Sequence, residues 1–309
     1  MSRRWSVWAF GALFMVMGWH GQAAAKVRVF VSILPQKQFV ERIGGDRVDV
    51  SVLVSPGESP ATYRPKPSLV AKLGAAKLYF RIGVPFEEHL LPKLKSTAKA
   101  LAVVDTRKGV RLRDMDEGED EGHHKGREGH DEDGEDHEEE GHHHGEGSDP
   151  HIWLDPMRVK IQARTICDAL IKTDPDGREL YERGYAGFAS ELDAVHQDLL
   201  GVLAPIKGGE LYVFHPSFGY FAEAYGLVQR AVEVEGKRPK GRELARFIQK
   251  AREERVRVIF VQPQFDRHTA QKIAHAIGGS VVAIDPLAED FLSNLRGMAS
   301  LVRQSLMKK

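Results

Sequence analysis

Cysteine, net charge and long apolar runs are all scarce in this chain of 309 residues. Cys167 is its single cysteine, and one thiol cannot close an internal disulfide, so the fold must rest on its core alone. Basic and acidic side chains balance at 44 each, and no basic stretch is interleaved with aromatics. That argues against a nucleic-acid binder, which needs a positive face for phosphates. No apolar run reaches the ~20 residues that span a bilayer, which excludes a polytopic membrane protein. Catalytic signatures are missing as well: there is no His-Glu-x-x-His pair, no nucleophile elbow and no phosphate loop. What remains, 42% hydrophobic and 8% aromatic, is the composition of an ordinary globular chain.

The balanced charge is segregated along the chain. From Asp114 to Asp149, a stretch of 36 residues, there are 17 acidic side chains, only Lys125 and Arg127 as basic ones, and seven of the 14 histidines. This insert has no hydrophobic periodicity, and its charge and glycine content predict disorder without a ligand. Its histidines are His123, His124, His130, His137, His142, His143 and His144. Imidazoles interleaved with carboxylates offer many weak metal-binding sets, so the insert is expected to capture divalent cations. The chain's first 25 residues have the pattern of a cleavable export signal: Arg3 and Arg4, an apolar core from Val7 to Met17, and Ala23-Ala24-Ala25 before a mature start at Lys26. Export from the cytoplasm follows as the expectation.

Strand and helix patterns alternate through the rest. Strands are predicted at 27–34, 48–54, 76–82 and 100–105, with helices at 36–43, 68–74 and 86–95 between them. Beyond the insert come a helix at 156–172 and a long one at 175–203, then strands at 211–214, 227–234, 256–261 and 280–284 alternating with helices at 217–225, 241–254, 267–277 and 289–307. The expected fold is α/β: two similar lobes with parallel sheets, joined by a long rigid helix, with a site in the cleft between them. Residues 26–155 would form the first lobe and carry the insert 114–149, 156–205 the helical connector, and 206–309 the second lobe.

Three residues stand where such a cleft forms its chemistry. His151 lies between two Asp-Pro turns, Asp149-Pro150 and Asp155-Pro156, just before a helix. Either aspartate could take the second ring N–H and fix the tautomer. His215 follows the strand 211–214 and precedes Pro216, at the carboxyl end of a parallel strand where open α/β sheets bind ligands. Asp285 occupies the same place after the strand 280–284. Imidazole with carboxylate suits Zn²⁺, accommodates Mn²⁺ or Fe²⁺, and is a poor set for Ca²⁺ or Mg²⁺. His89, His196, His268 and His275 fall within helices and are expected to be surface or packing residues.

The segments Asp149-Pro150-His151-Ile152-Trp153-Leu154-Asp155-Pro156, Phe214-His215-Pro216-Ser217-Phe218-Gly219-Tyr220, Ile284-Asp285-Pro286-Leu287 and Gly57-Glu58-Ser59-Pro60-Ala61-Thr62-Tyr63 together resemble the motifs of metal-specific periplasmic binding proteins of zinc and manganese ABC importers. The resemblance runs from Val27 to about Met307, and the His-rich insert is similar to that of the zinc branch. It implies one metal held between two lobes, His151, His215 and Asp285 as ligands, a monomer, no enzymatic activity, and a membrane permease as partner. One position departs from the pattern: Ala61 stands where the family carries a ligating histidine. The first lobe's ligand is therefore unassigned, with a water or an insert imidazole such as His142, His143 or His144 as alternatives. The competing functions are a Mn²⁺ or Fe²⁺ binding protein of the same type, a metal-dependent hydrolase using the open position, and a periplasmic zinc buffer.

Overall fold

The computed structural model describes residues 25–115, 148–233 and 241–307. The export signal and the seven insert histidines lie outside the described residues. Among those described, no helix is long and apolar enough to cross a membrane.

The first lobe is a four-stranded parallel sheet in the order β2-β1-β3-β4, formed by β1 (Val27–Val31), β2 (Val48–Val52), β3 (Leu78–Arg81) and β4 (Ala102–Asp105). Helices α1 (Leu34–Gly44), α2 (Pro67–Gly74) and α3 (Phe86–Thr97) alternate with these strands. Val29, Val31, Leu78 and Phe80 are almost wholly buried, as expected of strands covered on both faces. The second lobe repeats the plan as β6-β5-β7-β8, with β5 (Glu210–Val213), β6 (Val228–Ala231), β7 (Val258–Val261) and β8 (Ser280–Ala283), all parallel. Its helices are α6 (Gly219–Tyr225), α7 (Gly241–Glu253), α8 (Arg267–Ala276) and α9 (Phe291–Met307), after α4 (Pro156–Thr173) and α5 (Arg178–Leu203).

The 26 residues of α5 make a rod of about 39 Å at 1.5 Å per residue. Its apolar stripe (Tyr181, Phe188, Leu192, Val195, Leu199, Leu203) is buried, and the helix packs on α1 of the first lobe, on α4 and on α9 of the second. Phe39 of α1 meets Phe188 of α5 at 5.6 Å and Phe291 of α9 at 4.9 Å between ring centroids. Three buried rings thus tie the two lobes to one spine, a contact cluster that resists large relative motion.

The expected elements are all present, with shorter strands. The run 27–34 divides at Ser32: the ladder stops at Val31 and a helix begins at Leu34. Pro35 stands at the start of this helix, where its missing N–H costs nothing. The predicted helix at 217–225 begins two residues later, at Gly219, because His215-Pro216-Ser217 form a turn first.

Candidate metal centre

The polypeptide reaches His151 through a clasp at the base of the insert. Asp114 and Ser148 form an antiparallel bridge, and the Asp149 N–H donates to the Arg113 carbonyl at 2.9 Å. Tyr220, buried at the start of α6, donates its hydroxyl hydrogen to the Asp149 carbonyl at 2.9 Å and accepts from the Arg113 N–H at 3.0 Å. Gly219 makes room for this: a Cβ there would land on the Arg113 guanidinium and come within 2.8 Å of Asp149 Oδ2.

Asp149, 1% exposed, then does two things. Its Oδ1 accepts both the backbone N–H of His151 (2.9 Å) and ring Nδ1 (2.7 Å), while Oδ2 faces Arg113 Nη1 at 3.3 Å. The second aspartate of the motif has a different task. Asp155 caps α4 by accepting from Met157 N–H at 2.9 Å and pairs with Arg158.

His215 follows β5 at the sheet's carboxyl end and is held in the same way. Its Nδ1 lies 2.9 Å from Glu233 Oε2, a buried carboxylate just beyond β6. Gln262, after β7, donates to the His215 carbonyl at 2.8 Å and to Ser217 Oγ at 2.8 Å. Phe265 stacks on the imidazole with centroids 4.6 Å apart and planes at 21°. Burial pushes the His215 pKa below the usual imidazole value, against the Glu233 hydrogen bond, which raises it, and His151 nearby adds to the depression.

The two rings come together, with centroids 5.5 Å apart and planes at 74°. A carboxylate on each Nδ1 places the proton there and leaves Nε2 as the basic nitrogen. Neither Nε2 has a hydrogen-bond partner among the described residues. Such a pair is suited to a borderline divalent cation.

Asp285 lies after β8, half-buried, with Oδ1 accepting from Gln264 Nε2 at 2.8 Å and Leu287 N–H at 2.9 Å. The turn it begins is docked on the His151 segment: the buried Trp153 indole donates to the Pro286 carbonyl at 2.8 Å. Among the described residues no group of three or more His, Cys, Asp or Glu is drawn together as a ready-made metal cage, so Asp285 is not grouped with the His pair here. Ala61 is exposed on the loop between β2 and α2 and has no donor atom. Of the remaining histidines, His89, His268 and His275 are exposed on helices, and His196 lies beside Tyr225 with Nδ1 3.3 Å from its hydroxyl.

Glu233, Gln262, Gln264, Phe265 and Arg113 escape a reading of the sequence alone. Glu233 becomes visible as a partner only once β6 is known to lie beside β5, since 18 residues separate it from His215. The Gln-Pro-Gln run after the apolar β7 was the available signal, polar residues at a strand's carboxyl end.

Two similar lobes on a helical spine, with an imidazole pair braced by buried carboxylates, define the class of metal-binding solute-binding proteins. The chain belongs to the family described as zinc-uptake complex component A, periplasmic, whose pattern matches residues 29–304. It is 27% identical over 302 residues to a high-affinity zinc uptake system protein of Bacillus subtilis, covering 93% of this chain and 90% of that one. A protein of the same description from Paracoccus denitrificans is 36% identical over 210 residues, 65% of this chain and 64% of that one. A crystal structure of ZnuA superposes with a TM-score of 0.78 at 38% identity, covering 91% of this chain and 99% of the other. A zinc-bound ZnuA lacking its residues 138–173 superposes with the same score at 37% identity, covering 91% and 98%. The family is one of solute-binding transport proteins, which sets aside the hydrolase alternative.

Proposed function

We propose that this protein captures Zn²⁺ in the periplasm and delivers it to the membrane permease of a zinc ABC importer. The observation that carries the reading is the His151–His215 pair, each ring oriented by a buried carboxylate on Nδ1 and the two ring centroids only 5.5 Å apart. His151 and His215 are two ligands, and Asp285, just beyond the end of β8 and linked through Pro286 to the His151 segment, is the third. Water completes a tetrahedron, since Ala61 supplies no donor from the first lobe. The insert histidines His123, His124, His130, His137, His142, His143 and His144 act as a weak outer capture set. The expected export by a cleavable signal fits the periplasmic family.

No bond of the cargo is made or broken, so the demand on the site is preorganisation and release. Asp149 holds the His151 ring, Glu233 and the stacked Phe265 hold the His215 ring, and Trp153 ties the His151 segment to the turn after Asp285, so little ordering remains to be done when the ion arrives. The test is a chelator-competition titration of the metal-free protein with Zn²⁺, in native and His215→Ala forms. One tight site that His215→Ala abolishes is expected, and tight stoichiometric binding by the variant overturns the assignment. For delivery, the zinc-loaded protein should stimulate ATP hydrolysis by the reconstituted permease, and an inert permease refutes that part.

A further inference from the structure

We infer that Gln264 sets the metal preference of the site by leaving Asp285 a single free oxygen, so that the cleft favours a four-coordinate cation such as Zn²⁺ over six-coordinate Mn²⁺. This deepens the proposed function and rests on Asp285 being a ligand. The geometry that points to it is local. Asp285 Oδ1 accepts two hydrogen bonds, from Gln264 Nε2 at 2.8 Å and from Leu287 N–H at 2.9 Å. A carboxylate oxygen has two lone pairs in its plane, so Oδ1 is saturated and only Oδ2 remains for an ion.

Gln264 is not free to leave. Its neighbours on either side are fixed on His215: Gln262 through the His215 carbonyl and Ser217, Phe265 through ring stacking. The Phe265 N–H donates to the Gln262 carbonyl at 3.1 Å, closing a tight turn around Gln264. Its own Oε1 is buried and has no hydrogen-bond partner. The amide therefore makes its one hydrogen bond to Asp285, and the turn that steadies one ligand ring also restricts the carboxylate. Two imidazole nitrogens and one carboxylate oxygen make three protein donors, which one water completes for Zn²⁺. Mn²⁺, which favours octahedral, oxygen-rich surroundings, gains most from a second carboxylate oxygen and loses most without it.

The test substitutes Gln264→Met, which keeps the chain length, removes the amide and also removes the orphaned acceptor, so folding should not suffer. Zn²⁺ and Mn²⁺ affinities are measured in the full chain for native, Gln264→Met and Asp285→Ala proteins. The Co²⁺-loaded visible spectrum serves as a coordination readout. The expected result is a fall of about tenfold in the ratio of Zn²⁺ to Mn²⁺ affinity in Gln264→Met, the scale of outer-shell effects on metal sites. The intense four-coordinate Co²⁺ bands should weaken with it. A ratio and spectrum unchanged in Gln264→Met, or equal loss of both metals, overturns the inference while Asp285→Ala still weakens binding. If Asp285→Ala binds like native, the ligand reading itself has failed and the inference falls with its premise.

Discussion

Replacing Asp149 by Asn tests whether the carboxylate behind His151 makes that ring a ligand. The side chain is fully buried and takes three hydrogen bonds, from His151 N–H (2.9 Å), His151 Nδ1 (2.7 Å) and Arg113 Nη1 (3.3 Å). Asn has the same shape, but one of its two terminal atoms is a donor. If the amide oxygen faces His151, the NH₂ meets the Arg113 guanidinium, and a charge-assisted hydrogen bond of about 1.5–3 kcal/mol is lost. If the NH₂ faces His151, Nδ1 must accept and the proton moves to Nε2, which then cannot bind metal. Either arrangement weakens the site, and outer-shell partners of metal-bound histidines typically contribute ~10–100-fold in affinity. That factor corresponds to roughly 1.4–2.7 kcal/mol. Chelator competition at pH 7.5 should show one Zn²⁺ per chain bound ~10–100-fold more weakly, and the metal-free protein should melt roughly 5 °C lower. Unchanged affinity in a folded variant would mean that His151 does not bind metal through Nε2.

Other outcomes follow from the same geometry. Because burial lowers the His215 pKa, the neutral ring is the folded-state form, so metal-free stability is full above the unfolded imidazole value of about 6.5 and is lost as pH falls through the lower folded value. Thermal melts from pH 8 to 5 should show that loss, and His215→Gln should flatten it. Zn²⁺ affinity should fall over the same range as protons compete for Nε2. Ala61→His, on an exposed loop, should tighten Zn²⁺ binding by at least about tenfold if the first lobe lacks a ligand; no gain in titrations, with or without the insert, would mean that Ala61 does not face the ion. Deleting Asp116 to Glu146 should leave the tight site and the melting temperature intact, since the Arg113–Asp149 and Asp114–Ser148 pairs close the neck without it. Calorimetry should then lose only weak sites, and an identical stoichiometry would refute the capture role.

Much of the fold was legible because each segment states its own period. Val27 to Val31 is a β-branched run, and the stripe of Leu192, Val195, Leu199 and Leu203 along α5 recurs at helical spacing. Strand ends were overrun where apolar residues continue beyond the ladder, as at Ile33, which is buried without being paired. Hydrophobicity reports burial, and burial outlasts strand pairing at the core's edge. His151, His215 and Asp285 could be singled out because Pro and strand-end positions mark them locally. Their supporting residues could not, because Glu233 and Gln262 touch His215 across 18 and 47 positions and Trp153 reaches Pro286 across 133. Such contacts depend on strand order, which no local pattern encodes. Of the two aspartates flanking His151, sequence left the roles open, and only the chain's path assigns Asp149 to the ring and Asp155 to the helix cap.

The most direct measurement is an anomalous-difference map from crystals of the zinc-loaded protein collected across the zinc edge. A single strong peak is expected between the two rings, about 2.0–2.1 Å from Nε2 of both His151 and His215, with one oxygen of Asp285 beside it. A tight zinc peak elsewhere, or one that leaves either Nε2 uncoordinated, would contradict the His pair as the metal centre.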